Sequence, residues 1–247
     1  MSESDSPKVA IITGGSRGIG ADISRRLAND GYAVIINYAH NQEVADGLVE
    51  EIQAQGDEAL AVQADISRPD EVAQLFDTTM QRFGRIDALV NNAGVLKAVP
   101  IAEAADDDYD AHFETNTRGT FNTLREAASR LEDGGRIVNL SSSALALNLP
   151  GYGLYNATKA AVESLTRVFA GELRGRRITV NAVAPGPVDT ELFRSGKTEE
   201  QIEKFTHMPP LERLGQPRDI AAVIAFLLSP EAEWVNGQII RANGGFA

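Results

Sequence analysis

The stretch VAIITGGSRGIG, residues 9–20, decides the fold. Its first five residues are β-branched or apolar and too few for a helix, as in a strand buried on both faces. They run into Thr13 and Gly14, with Gly18 and Gly20 following at a spacing that ends a strand and opens a helix. Glycines there permit a tight turn, let backbone approach a diphosphate, and allow the helix to pack closely on the strand. The helix N-terminus then faces the anion. Alone, such a turn is a weak signal; placed after the first strand of an alternating β/α chain, it predicts a dinucleotide site.

The rest of the chain supplies that context. Short runs recur as VAIIT at Val9, AVIIN at Ala33, ALAVQ at Ala59, ALVNN at Ala88, RIVNLS at Arg136, TVNAVA at Thr179 and QIIRA at Gln238. Residues 21–30, 42–55, 70–83 and 107–131 lie between them and are long enough for crossover helices. Seven strands alternating with helices predict an α/β fold: a doubly wound, Rossmann-type three-layer sandwich with a seven-stranded parallel sheet. With 247 residues, 43% of them hydrophobic, a single domain over residues 1–247 has enough core. One long connection, residues 189–218, has a polar helical piece near residues 198–206 and reads as a lid.

Composition removes several function classes. There is no cysteine, which excludes disulfides, thiolate nucleophiles and zinc-thiolate sites. His40, His112 and His207 are scattered without metal-binding spacing, so no metal is expected. A formal charge of −12 argues against nucleic acid or an anionic membrane surface as partner. The start, MSESDSPK, lacks the features of a targeting peptide, and the longest apolar run, residues 220–228, is half a membrane span. A soluble, cytoplasmic protein is expected.

A second stretch carries the chemistry: LYNATKAAVESLTRVFAGEL, residues 154–173. Helical spacing groups Ala161, Leu165, Val168 and Phe169 as an apolar stripe, with Glu163, Ser164 and Arg167 opposite. Tyr155 and Lys159 fall one turn apart, in line with Val162. A cation beside a phenol favours the phenolate and lowers its pKa from about 10, towards the range useful for proton exchange. A snorkelling lysine beside an interface tyrosine gives the same spacing.

Taken together, TGxxxGxG at Thr13, NNAG at Asn91, Asn116 in NTRG, Ser142 in LSSS, YNATK at Tyr155, PGPVDT at Pro185 and the terminal VNGQIIRANGG resemble the short-chain dehydrogenase/reductase family nearly from end to end. The resemblance implies four catalytic residues. Ser142, thirteen residues before the tyrosine, orients the substrate carbonyl; Tyr155 is the general acid/base; Lys159 holds the nicotinamide ribose and lowers the tyrosine pKa; Asn116 completes a proton relay through water. Hydride transfer to a carbonyl leaves an alkoxide, and such residues supply the hydrogen bond and the proton it needs. An isolated serine after a strand would otherwise read as a turn or cap.

The same resemblance implies the cofactor contacts. Gly14, Ser16, Arg17, Gly18, Ile19 and Gly20 form the phosphate turn, and Asn37 and Tyr38 end strand two. Asp65 and Ile66 meet the adenine, though an aspartate there also starts turns. Asn92, Ala93 and Gly94 lie behind the ribose. Pro185, Gly186, Val188 and Thr190 lie towards the nicotinamide, where Thr190 also fits a helix cap. Strand two ends in AVIINYAHN without a carboxylate, and Tyr38 stands where NAD-preferring relatives carry Asp. With Ser16 and Arg17 able to reach a 2′-phosphate, the cofactor is expected to be NADP(H) rather than NAD(H).

The expected activity is reduction of a ketone or aldehyde to an alcohol, the partner being a small-molecule carbonyl or alcohol. The alternatives are a 3-oxoacyl thioester (acyl-carrier-protein) reductase, a sugar or polyol dehydrogenase, and a dinucleotide-sensing regulatory protein without turnover. The chain reads VLKAVP over residues 95–100 where fatty-acid elongation relatives commonly have Thr-Arg-Asp, which weakens a carrier-protein substrate. Arg174, Arg176 and Arg177 read more simply as surface charge than as a carrier-docking patch. Leu192, Phe193, Phe205 and Met208 in the lid suit a partly apolar substrate or the underside of a packed loop. The family is usually homotetrameric, and the tail IIRANGGFA resembles its interface segment; a dimer is the alternative.

Overall fold

The computed structural model describes residues 6–247, so the reading of MSESDSPK rests largely on residues outside those described. The β-branched runs become strands wherever they can be buried on both faces: β1 (Lys8–Thr13), β2 (Tyr32–Tyr38), β3 (Ala59–Gln63), β4 (Ala88–Asn91), β5 (Arg136–Leu140), β6 (Thr179–Pro185) and β7 (Ile239–Ala242). They pair in parallel in the order β3-β2-β1-β4-β5-β6-β7. Winding reverses between β1 and β4, which opens a crevice at their carboxyl ends, where ligands bind in such sheets.

Alternate residues of the central strands feed two apolar layers. Ala10, Ile12, Val34 and Ile36 pack beneath α1 (Gly18–Asn29), α2 (Gln42–Ala54) and the later α10 (Pro217–Leu228). Val9, Ile11, Ile35 and Leu89 face α3 (Pro69–Phe83) and the helices that follow β4 and β5. The fold is the expected doubly wound sandwich.

Two helices differ from the sequence reading. The segment expected at residues 107–131 is α4 (Asp106–His112) and α5 (Gly119–Arg130), joined by a π-helical turn, Phe113–Arg118, that carries Asn116. Hydrophobic periodicity has no signature for that widened turn. After α6 (Ala144–Leu147) comes α7 (Gly153–Glu172), whose buried line runs through Thr158, Lys159, Val162 and Thr166. Val168, placed in the apolar stripe by sequence, is 57% exposed. The polar threonines displace it because each hydroxyl has a buried acceptor: Thr166 bonds Val162 O at 2.8 Å, and Thr158 bonds Tyr155 O at 2.7 Å.

Thr166 also ends a buried polar seam. Thr123 Oγ1 donates to Asn91 Oδ1 (2.7 Å), Asn91 Nδ2 to Asn139 Oδ1 (2.8 Å) and Asn139 Nδ2 to Thr166 Oγ1 (2.9 Å). It crosses from α5 through the paired Asn91 and Asn139 of β4 and β5 to α7.

The long connection after β6 holds α8 (Glu191–Arg194) and α9 (Glu199–His207). Thr198 opens α9 with a reciprocal cap: it accepts from the Gln201 N–H at 3.3 Å while Gln201 Oε1 accepts from the Thr198 N–H at 2.9 Å.

Candidate active site

The glycine-rich turn is built by exclusion. Gly14 and Gly18 sit at φ 58° and 53°, in the left-handed region that favours glycine. A Cβ on Gly20 would fall 2.1 Å from Gly14 O and 2.6 Å from Asn92 Nδ2, so only glycine lets α1 start this close to β1. Arg17 is the N-cap of α1 and makes no side-chain cap. The first-turn N–H groups therefore meet no capping side chain, and the helix dipole makes them a site for an anion. A backbone cradle that a Cβ would fill, facing an uncapped helix start, fits a diphosphate.

Beneath it, buried and half-buried side chains clamp the turn. Thr13 Oγ1 accepts the Asn92 and Ala93 N–H groups at 3.0 and 3.1 Å. The Asn92 amide donates to Thr13 O and Gly14 O at 3.0 and 2.9 Å. Asn37 Oδ1 accepts from the Gly14 N–H (3.4 Å), and its Nδ2 donates to Ala64 O (2.9 Å). Several residues expected to meet a cofactor thus spend their side chains on the turn itself. Tyr38, only 7% exposed, lies in the apolar layer that contains Ala45 and Leu48, and burial raises its pKa. Ile66 packs on Gly119, where a Cβ would sit 2.5 Å from Ile66 Cδ1. Asp65 Oδ1 accepts the Ser67 N–H and hydroxyl at 2.9 and 2.8 Å, the turn-forming role that sequence left open.

On the outer side, Ser16 and Ile19 are half-buried and Arg17 is exposed. The Arg17 guanidinium lies 3.6 Å from Glu191 at the start of the lid.

The catalytic candidates gather at the carboxyl edge of β5. Three consecutive serines follow it, and their environments separate them. Ser141 Oγ donates to Glu163 (2.7 Å) and Ser143 Oγ to Ala184 O (2.9 Å), both serines being buried. Ser142 is half-exposed, accepts the Ala144 N–H at 3.2 Å and hydrogen-bonds the Tyr155 phenol. Geometry thus selects the same serine as the spacing from Tyr155.

Lys159 is 5% exposed; its ammonium donates to Leu140 O at 2.7 Å and stands 5.8 Å from the centre of the Tyr155 ring. A Cβ on Gly94 would lie 3.6 Å from that ammonium and 3.1 Å from Asn116 Oδ1, so NNAG, Asn116 and Lys159 meet at one point. The Asn116 amide is fully engaged: Oδ1 accepts the Val95 N–H (2.8 Å), and Nδ2 donates to Val95 O (3.0 Å) and Thr158 Oγ1 (3.1 Å). It fixes the loop after β4, and its carbonyl accepts the Thr120 hydroxyl at 2.9 Å.

The pKa expectation is corrected. Burial pushes Tyr155 up to about 12, against the lowering influence of the Ser142 hydrogen bond. Burial also pulls Lys159 down to about 8. Desolvation disfavours both charged forms and outweighs the attraction expected between cation and phenolate.

Beyond β6, Gly186 admits the close approach of Asn243, whose Cβ would be 2.8 Å from a Cβ on the glycine, and the Pro185 carbonyl accepts the Ser143 N–H at 2.9 Å. Val188 is buried and bridges to Gly215. Thr190 caps α8 by accepting the Phe193 N–H at 3.1 Å. Its methyl lies 3.5 Å from the Cβ position of Gly18, which puts the start of the lid against the glycine turn.

Sequence reasoning missed Tyr152, whose ring stands edge-on to Tyr155 at 6.2 Å; two tyrosines three residues apart at a helix start were the signal. It also missed Glu163, read as solvent-facing, and Asn139. Arg176 is tied to Asp133, Ala128 O and Leu131 O, a staple of the loop after α5. Among the described residues, no helix is long and apolar enough to cross a membrane, and no group of three or more His, Cys, Asp or Glu side chains is placed to hold a metal.

Comparisons with known proteins give these features a context. The family described as Enoyl-(Acyl carrier protein) reductase matches residues 14–247. A Picea abies protein named short-chain type dehydrogenase/reductase is 46% identical over 96% of this chain and 92% of its own length. An Arabidopsis thaliana protein named NADPH-dependent aldehyde reductase-like protein, chloroplastic, is 43% identical over 97% and 94%. The structure of a blue fluorescent protein from a metagenomic library, in complex with NADPH, superimposes with a TM-score of 0.92 at 39% identity, covering 99% of this chain and 100% of that one.

Proposed function

The chain belongs to the short-chain dehydrogenase/reductase family of NAD(P)-dependent oxidoreductases, and on that premise we propose that it reduces a ketone or aldehyde to an alcohol with NADPH, Tyr155 delivering the proton. The observation that carries this reading is the grouping of Ser142, hydrogen-bonded to the Tyr155 phenol, with the Lys159 ammonium 5.8 Å from the Tyr155 ring, on the sheet edge that also holds the uncapped start of α1.

When bound, the nicotinamide supplies the hydride. The chain's own residues do the rest. Ser142 donates a hydrogen bond to the carbonyl oxygen, and Tyr155 gives that oxygen a proton as negative charge builds on it. The Lys159 ammonium, fixed by donation to Leu140 O, would hold the ribose beside the Tyr155 ring. Asn116 holds the loop after β4 against Lys159. The first turn of α1 takes the diphosphate, and Val188 and Thr190 face the carboxamide end.

NADPH over NADH is supported by Arg17 and Ser16 on the open side of the turn and by the lack of a carboxylate at the end of β2. The names of the Arabidopsis and metagenomic proteins agree. A 3-oxoacyl thioester reductase is the second reading, since the matching family is described by a carrier-protein thioester substrate; the Arg176 staple weakens a carrier-docking surface there. The reading extends to a single-domain, cytoplasmic protein that assembles as a homotetramer or dimer, the assembly being supported by exposed Trp234 (98%) and Val168; light scattering would decide the assembly.

The test is NADPH oxidation against aldehydes, ketones, quinones and acyl thioesters. Turnover of a free aldehyde or ketone, lost in Tyr155→Phe, supports the proposal. Turnover of acyl thioesters alone would replace the substrate. Tight NADPH binding with no turnover would leave a dinucleotide sensor.

A further inference from the structure

The residues after β7 return to the active-site edge. Asn243 Nδ2 donates to Ser143 Oγ at 2.9 Å, one residue from Ser142, and Ser143 is itself held by Ala184 O. Gly244 and Gly245 follow at φ 64° and 84°. A Cβ on Gly245 would lie 3.1 Å from Pro210 Cδ, and one on Gly244 3.4 Å from Pro209 Cβ, so the tail backbone lies on the segment that closes the lid. Phe246 then places its ring 6.4 Å from Phe205 of α9, which stands edge-on to Phe193 of α8 at 5.5 Å. The Lys197 ammonium covers the Phe193 ring at 4.8 Å and donates to Phe193 O at 2.6 Å.

This attachment matters because the lid has little of its own. Ile202 is the buried residue of α9, and α8 has none. Short helices without a buried face do not hold a position by themselves. The three rings connect both lid helices to a tail rooted beside the catalytic serine. From this geometry we infer that Phe246 is a positioning residue: through Phe205 and Phe193 it holds the lid against the Ser142–Tyr155 edge, and so sets the affinity for the carbonyl substrate. The inference rests on the reductase reading given above.

The experiment compares the full-length protein with Phe246→Ala and Phe246→Leu, by steady-state kinetics and by limited trypsin digestion at Arg194, Lys197 and Lys204 in the lid. Phe246→Ala should raise KM for the carbonyl about three- to tenfold, the scale of one aromatic pair, with kcat and NADPH affinity unchanged. Cleavage in the lid should accelerate by a similar factor, and Phe246→Leu should restore both. Unchanged digestion and KM would overturn the inference. So would faster digestion throughout the chain with a lowered Tm, which would make Phe246 part of the general core. Digestion needs no turnover, so failure of the reductase reading would show separately, as inactivity of the unmodified protein.

Discussion

The two halves of the site use opposite means. Between β1 and β4 the surface offered to a diphosphate is backbone, and the side chains that shape it, Thr13, Asn37 and Asn92, lie behind it, bonded to the turn they support. Between β5 and the lid the surface is side chains: Ser142, Tyr155, Lys159 and Thr190 stand on elements held by other groups. A diphosphate is recognised by N–H groups in fixed positions, which favours residues with nothing beyond Cα. Proton delivery needs a titratable atom at one point, which favours side chains with shifted pKa values.

Substitutions should therefore separate the halves. The largest effect is expected for Tyr155→Phe, which should lower kcat for carbonyl reduction at least about a hundredfold with the NADPH Kd unchanged, read by stopped turnover and nucleotide fluorescence. Loss of binding with turnover would erase the division. Gly20→Ala should do the reverse. A methyl group forced against Gly14 O and Asn92 Nδ2 displaces the turn, so NADPH affinity should fall about ten- to a hundredfold, the range of overpacking strain. Normal affinity in that variant would mean that the cradle is not where the diphosphate lies.

A pH titration sharpens the contrast. Lys159 is charged below about 8 and neutral above it, and the charged form attracts the polyanionic nucleotide. NADPH binding should weaken as pH rises from 7 to 9, by about three- to tenfold and by no more than a decade per pH unit. Calorimetry above pH 8 should show proton uptake on binding; pH-independent binding would remove Lys159 from the cofactor side. The smallest effect is expected where the halves meet. If Arg17 meets the 2′-phosphate, Glu191 would compete for it across an exposed pair, so Glu191→Gln should improve KM for NADPH about two- to threefold, the scale of surface ion pairs, and leave NADH alone. An equal change for both nucleotides would put Arg17 away from the 2′-phosphate.

Legibility from sequence followed the same division. The glycine turn and the seven alternating strands could be read because glycine spacing and β-branched runs state a backbone requirement directly. Ser142, Tyr155 and Lys159 were named through the family resemblance, and the structure brings them together between the end of β5 and the start of α7. What escaped depends on contacts between distant segments. The π-helical turn at Asn116 follows from packing against Val95 and Thr158, which no local period encodes. Val168 was misplaced because an apolar residue need not be buried, whereas Thr158 and Thr166 could be buried once acceptors were at hand. Tyr155 was expected to be acidified because charge pairing is visible in a sequence and desolvation is not. Tyr38 was read from its place in an alignment of roles; its ring lies inside the apolar layer.

The polar seam through Asn91 and Asn139 has a consequence for how the chain assembles. Apolar parallel strands can slide by two residues and keep every side chain on its own face. A slip of β5 against β4 would carry Asn139 away from Asn91 and leave buried amide and hydroxyl groups unmatched, at about 1–3 kcal/mol each. The seam proofreads the middle of the sheet: it contributes modestly to a correct pairing and penalises the nearest wrong one heavily, so the crevice forms with its edges aligned.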